Sequence, residues 1–208
     1  MTVQPRSSLV SLLVPAITTA IWFIVLCGVI YPLLTTVVAN VIFPYQAHGS
    51  LITDASNKVI GSELIAQNFT SPKYFHSRPS ATTKTGTTDK ADPYNAAQSG
   101  ASNYGPTNKK LIDGVKDAVK AYRKDNGLAA DTPVPVDAVT QSASGFDPDI
   151  TIANANLQAN RVAKARNMSV GDVQNLISQN TQGRQLGFLG EPRVNVLKLN
   201  LALDKAKS

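Results

Sequence analysis

The chain offers few side chains able to do chemistry. Its two histidines, His48 and His76, lie far apart, and its single cysteine is Cys27. With no His-Glu-x-x-His and no Cys-x-x-Cys there is no zinc-ligand spacing, so each histidine reads as structural or interfacial. Gly-x-Ser-x-Gly, Ser-x-x-Lys and a P-loop are also absent, which removes the commonest serine-nucleophile and nucleotide-phosphate patterns. Thr83-Lys84-Thr85-Gly86-Thr87 matches the phosphorylation-loop sequence Asp-Lys-Thr-Gly-Thr except at its first position. That position is the chemistry: threonine has no carboxylate to form an acyl phosphate. Ser99-Gly100-Ala101-Ser102 and Ser142-Ala143-Ser144-Gly145 are small-residue turns where a backbone can come close to a partner, although the same composition makes ordinary loops.

The elements around these residues follow from charge and periodicity. From Ser7 to Thr53 there is no Asp, Glu, Lys or Arg, and within it Leu9 to Leu34 contains 20 apolar residues out of 26. That run exceeds the ~18 residues of a membrane span. A cleaved signal peptide, with Val37 and Ala39 before the cut, is the competing reading, but a secretory apolar core is only ~7 to 15 residues. Arg6 precedes the span and no Lys or Arg follows closely, which puts the N-terminus in the cytoplasm and the rest outside. The expected plan is a cytoplasmic N-terminus (1–8), a transmembrane helix (9–34), an exit linker (35–53) and an extracytoplasmic domain (54–208) containing a long polar loop (80–108).

The net charge is +6, of which Arg6 supplies one, so residues 54–208 are mildly basic, with acids interspersed. No arginine-rich or aromatic-interleaved run indicates nucleic acid. Cys27 lies in the apolar span, so the exported part has no disulfide and depends on its own core. Thr107-Asn108 caps a helix with Leu111, Ile112, Val115, Val119 and Tyr122 on one face and Gly127 after its end. Its opposite face is Lys-rich and reads as solvated. Asp149 or Thr151 caps a second helix ending near Asn167, and Ser169 with Asp172 forms a capping box for a third. Ile52 to Phe69 is either two short strands or a strand and a helical turn, and Arg193 to Leu201 alternates as a strand with a bulge at Val196-Leu197. The fold class is α+β: a single N-terminal transmembrane helix followed by one mixed α+β extracytoplasmic domain.

Gln67, Asn68, Phe69, Tyr74, Phe75, His76 and Arg78 form a candidate partner interface, since aromatics, His and Arg crowd together as they do in interface anchors. The alternative is that these aromatics fill the domain's own core. Within the span, Ile17, Ile21 and Leu34 are candidate transmembrane contacts.

Several motifs carry a family resemblance. Tyr31-Pro32-Leu33-Leu34-Thr35-Thr36, Phe43-Pro44-Tyr45-Gln46-Ala47, Gln67-Asn68-Phe69-Thr70 and Tyr74-Phe75-His76-Ser77-Arg78-Pro79-Ser80 occur in order. They are followed by Ser142-Ala143-Ser144-Gly145-Phe146-Asp147, Arg161-Val162-Ala163-Lys164-Ala165-Arg166-Asn167 and Val194-Asn195-Val196-Leu197-Lys198-Leu199-Asn200-Leu201. Together they resemble the C chain of the Kdp potassium-transporting P-type ATPase across essentially the whole sequence. Ala66 and Ser77 replace family glycines, and alanine resists the left-handed backbone.

The resemblance implies a bacterial inner-membrane pump with a potassium-channel-like A chain, an ATP-hydrolysing B chain and a small F peptide as partners. It implies a non-catalytic accessory role for this chain, which has no cofactor of its own and acts as a catalytic chaperone raising the ATP affinity of the B chain, with any ATP association made through that chain. A domain outside the cytoplasm meets no ATP, so such an effect has to travel through the membrane components as a coupling free energy. The competing classes are a membrane-anchored extracytoplasmic enzyme and a free-standing binding module.

Overall fold

The computed structural model describes residues 9–206; the expected cytoplasmic segment 1–8, including Arg6, lies outside them. Two compact units are present, Met1–Ser50 and Leu51–Ser208. The first is helical: α1 (Leu9–Val25), a π-helical turn (Leu26–Ile30), α2 (Tyr31–Ile42) and the short α3 (Pro44–Ala47). The π turn has a local cause. Pro32 has no N–H and its ring would crowd the carbonyl four residues back, and the widened turn lets Tyr31 N–H reach the Leu26 carbonyl instead. Leu9–Ile42 is an apolar helix of 34 residues, about 51 Å at 1.5 Å per residue, against a hydrocarbon core of ~30 Å.

This helix outruns the expected boundary at Leu34. The polar residues beyond it bond to their own backbone: Thr35 Oγ1 donates to the Tyr31 carbonyl at 2.9 Å and Asn40 Nδ2 to the Thr36 carbonyl at 2.8 Å. The stop comes at Phe43, at φ −129° and ψ 55°, because Pro44 disfavours helix in its predecessor.

The second unit is a mixed α+β domain. Ile52 to Phe69 resolves into the antiparallel hairpin β1 (Leu51–Thr53) and β2 (Val59–Ser62). The expected first helix is α4 (Lys109–Asp125), with Asn108 accepting from Lys110 N–H as N-cap. Its apolar face is only half-covered and its lysines are exposed. The short α5 (Val136–Val139) leads to β3 (Asp149–Thr151) and α6 (Ile152–Arg166), capped by Thr151 and closed by Asn167 at φ +55°. Of the two expected caps, Thr151 is the one used; Asp149 sits in β3. Helix α7 (Val170–Gln179) has the expected Ser169 cap. The chain finishes with β4 (Thr181–Gln182), β5 (Arg193–Asn195) and α8 (Val196–Ala206).

Arg193 to Leu201 is therefore a strand only as far as Asn195. Strand β5 lies between β3 and β4 in an antiparallel sheet. Asn195 Oδ1 then accepts from Lys198 N–H at 3.1 Å and starts a helix. Val196, Leu199, Asn200 and Leu203, all buried, follow the 3.6-residue period. The core joins α6, α7, α8 and the sheet: Ile150, Ala155, Ala159, Val162, Ala163, Val173, Ile177, Val194, Val196, Leu199 and Leu203, with Phe75 from a loop.

Candidate functional site

The segment around residues 67–78 is where the sequence places a partner surface. The structure holds it as a turn at 71–74 followed by an irregular segment, fixed in place by helix side chains that bond to its backbone. Arg161 Nη1 donates to the carbonyls of Pro72 and Tyr74 at 2.8 and 2.9 Å, and Arg166 Nε to that of Lys73 at 2.6 Å. Asn200 brackets Phe75, accepting its N–H at 2.8 Å and donating to its carbonyl at 3.0 Å. Gln158 does the same for His76, at 2.8 and 3.1 Å. Each of these two side-chain amides supplies one donor and one acceptor, which is what a residue's own N–H and C=O require. Backbone groups taken out of water need such partners.

The candidate residues sort by direction. Phe75 is 0% exposed and belongs to the core, which corrects its expected surface role: a ring wholly enclosed by its own domain leaves nothing for a partner to touch. Phe69 packs against the same core and lies 5.3 Å, centroid to centroid, from Tyr74. Tyr74 is half-buried beneath the Arg166 guanidinium, 4.8 Å away, and its hydroxyl donates to Asp204 at 3.0 Å. Gln67 Nε2 donates to the Ile60 carbonyl at 2.8 Å, and Arg78 pairs with Asp147 at 2.9 Å. Asn68 is the one member of the group that is exposed. Ala66 does not adopt the left-handed backbone; it is buried and its N–H donates to the Phe146 carbonyl at 2.9 Å. Ile17, Ile21 and Leu34 all lie exposed on the apolar helix.

Below His76 a polar network continues. Gln158 Nε2 donates to Asn154 Oδ1 at 2.9 Å, as does the Tyr122 hydroxyl at 2.8 Å, while Asn154 Nδ2 donates to Asp137 at 3.0 Å. Burial first, and the negative charge of Asp137 second, push the Tyr122 hydroxyl pKa up. His76 moves the other way: burial and then the charge of Arg161 lower its pKa, against smaller opposing effects of the Ser71 carbonyl and Asp125. A histidine held neutral in the fold takes up fewer protons than in the unfolded chain. Its contribution to stability is thus complete above the unfolded pKa of ~6.5 and is lost as pH falls through the lower folded value. Melting curves from pH 7.5 to 5 should show His76→Gln losing less stability over that window than the native chain; equal slopes would assign the pH dependence to other groups.

The small-residue turns find their partner in each other. Gly100 N–H and Ser99 Oγ both donate to the Ser144 carbonyl, at 3.2 and 3.1 Å, and Ser80 Oγ donates to the Gly145 carbonyl at 2.6 Å. The polar loop 80–108 is built the same way. Thr82 Oγ1 donates to the Asp92 carbonyl at 2.6 Å, and Tyr94 OH to that of Arg78 at 2.9 Å. Thr83-Lys84-Thr85-Gly86-Thr87 is a turn within it, with Thr83 Oγ1 donating to the Thr87 carbonyl at 2.8 Å. Among the described residues no three His, Cys, Asp or Glu side chains gather as metal ligands.

Sequence reasoning missed the residues that hold the segment, Gln158, Arg161, Arg166 and Asn200. The available signal was a polar residue at an apolar helix position, as Asn200 is between Val196, Leu199 and Leu203.

The comparisons with known proteins cover both units. The chain is 53% identical to the "Potassium-transporting ATPase KdpC subunit" of Mycobacterium tuberculosis (strain ATCC 25618 / H37Rv), over 93% of this chain and 97% of that one. It is 54% identical to the protein of the same name from Rhodopseudomonas palustris (strain BisB18), again over 93% and 97%. To that of Herpetosiphon aurantiacus it is 53% identical, over 93% and 96%. Residues 13–205 match the family described as "KdpC: K+-transporting ATPase, c chain". With an apolar helix, an α+β domain and a match running through both, the chain belongs to the KdpC family of potassium-transporting ATPase subunits.

Proposed function

We propose that this chain is a non-catalytic accessory subunit that holds the potassium pump together and covers its outer ion entrance. The N-terminus is then cytoplasmic, the helix spans the bacterial inner membrane and the α+β domain is extracytoplasmic. Its partners are the potassium-channel-like A chain, the ATP-hydrolysing B chain and the small F peptide. The observation that carries this reading is the family match over residues 13–205, which includes the helix and the domain as one subunit. The way the buried polar residues are used supports it: Gln158, Asn200 and Arg166 are occupied with the protein's own backbone. Any rise in the ATP affinity of the B chain is then a coupling transmitted through assembly.

Co-expression with the other pump chains, followed by capture through a tag after Ser208, tests the proposal. The large ATPase chain should be recovered in stoichiometric amount, with potassium-stimulated ATP hydrolysis in the captured material. Capture of this chain alone would favour an anchored enzyme or a free-standing module.

A further inference from the structure

The turn between β4 and β5 carries the densest exposed apolar group of the folded unit. Leu186 is 82% exposed, Phe188 68% and Leu189 47%. The other exposed large apolar side chains of Leu51–Ser208 stand singly along the chain, which is ordinary for a protein surface. A cluster at one tip is not.

The tip is held in place by its own backbone. Gln185 and Leu189 exchange two backbone hydrogen bonds of 2.9 Å, and the N–H groups of Gly187 and Phe188 donate to the carbonyls of Arg184 and Gln185, each at 3.2 Å. Leu186 adopts φ +53°, between the bonds that hold it there. A left-handed leucine crowds its Cβ against the following carbonyl, and strain of this kind persists where the surroundings enforce it and function uses it. At the base, Arg184 Nη2 donates to both carboxylate oxygens of Glu191, at 2.9 and 2.7 Å. Arg193 pairs with Asp149 at 2.8 Å. The rim of the tip thus carries charges already matched within the domain.

We propose that Leu186, Phe188 and Leu189 form a preformed apolar anchor that seats in an apolar pocket on another subunit of the potassium-transporting ATPase. The inference rests on the accessory-subunit reading above and names the surface through which it acts. A protein pocket fits better than lipid. Membrane-surface segments combine apolar residues with Trp, Tyr and free Lys or Arg, whereas residues 184–193 contain no Trp, Tyr or Lys, and both arginines are paired. A fluid bilayer also has no use for a strained, fixed turn. A shaped pocket does, since an anchor ordered beforehand loses little freedom on docking.

The test uses the full chain co-expressed with the other pump chains. In Leu186→Asn/Phe188→Ser, asparagine keeps the left-handed backbone while both anchors become polar. The isolated full chain in detergent should then melt at or slightly above the native temperature. Recovery of the large ATPase chain should fall about tenfold or more, as removal of a central interface anchor does. Phe188→Ser alone, which leaves Leu186 and both glycines in place, should fall in the same direction, and Phe188→Leu should retain most of the recovery. If the native chain recovers the ATPase and both serine variants recover it equally well, the anchor is wrong while the subunit reading stands. If the native chain recovers none, both fall together.

Discussion

Asn200→Leu is expected to lower the melting temperature of the protein by about 5 to 20 °C. Leucine keeps the branched outline of asparagine, so the apolar contacts around it are retained. What is lost is the pair of bonds to Phe75, 2.8 Å from its N–H and 3.0 Å to its carbonyl. Asn200 is buried and Phe75 fully so, so both backbone groups are stranded. Each orphaned group costs about 1 to 3 kcal/mol, and 1 kcal/mol moves the midpoint about 2 to 4 °C in a chain of this size. Circular dichroism melts read the shift directly. Lys205→Ala, on the exposed end of the same helix, should move it by no more than a degree or two, about the reach of an ordinary surface change. A shift for Asn200→Leu as small as that would show that water reaches Phe75.

Gly145→Ala should destabilise the domain by at least about 2 kcal/mol, since it combines left-handed strain of roughly 1 to 2 kcal/mol with a backbone collision. Gly145 sits at φ +82°, and an added Cβ would strike the Thr82 side chain and come within 2.8 Å of the Gly100 carbonyl oxygen. The carbonyl cannot step aside easily, because the two turns are tied by the Gly100 to Ser144 hydrogen bond. Gly127 provides the control. It has φ +63° with nothing within 4 Å of its would-be Cβ, so Gly127→Ala meets strain alone. Urea denaturation of both variants separates the two effects. Equal losses would mean that the approach of the two turns contributes nothing.

The helices are legible in the sequence because their signals are local. Asn108, Thr151 and Ser169 each cap where the sequence places a cap, and a cap acts over three residues. The final segment misleads, because Val194 and Val196, then Leu197, Leu199 and Leu201, alternate as a strand does, whereas the chain turns helical at Val196 and buries Val196, Leu199, Asn200 and Leu203 at helical spacing. The Asn195 side chain, accepting from Lys198 N–H, starts the helix there. The aromatic run near residue 75 shows the limit more sharply. Composition places Phe69, Tyr74 and Phe75 together, but their direction depends on Gln158 and Asn200, which are distant in sequence. The exposed tip at Phe188 has a visible signal in Gly187 and Gly190 flanking apolar residues, a pattern of a turn with nothing to bury.

The side-chain clamp on residues 73–76 also sets an order of events. Asn200 lies 125 positions after Phe75, and Arg166 93 positions after Lys73. Helix α6 can engage Lys73, Tyr74 and His76 once it is made, but the N–H and carbonyl of Phe75 have no partner until Asn200 of α8 has been synthesised. Loop closure over such separations is slow compared with local contacts. On the proposed topology, a chain delivered across the membrane with its N-terminal part first arrives with this segment still unlocked. The closing helix, last to appear, is the latch that turns a threadable polypeptide into a finished domain.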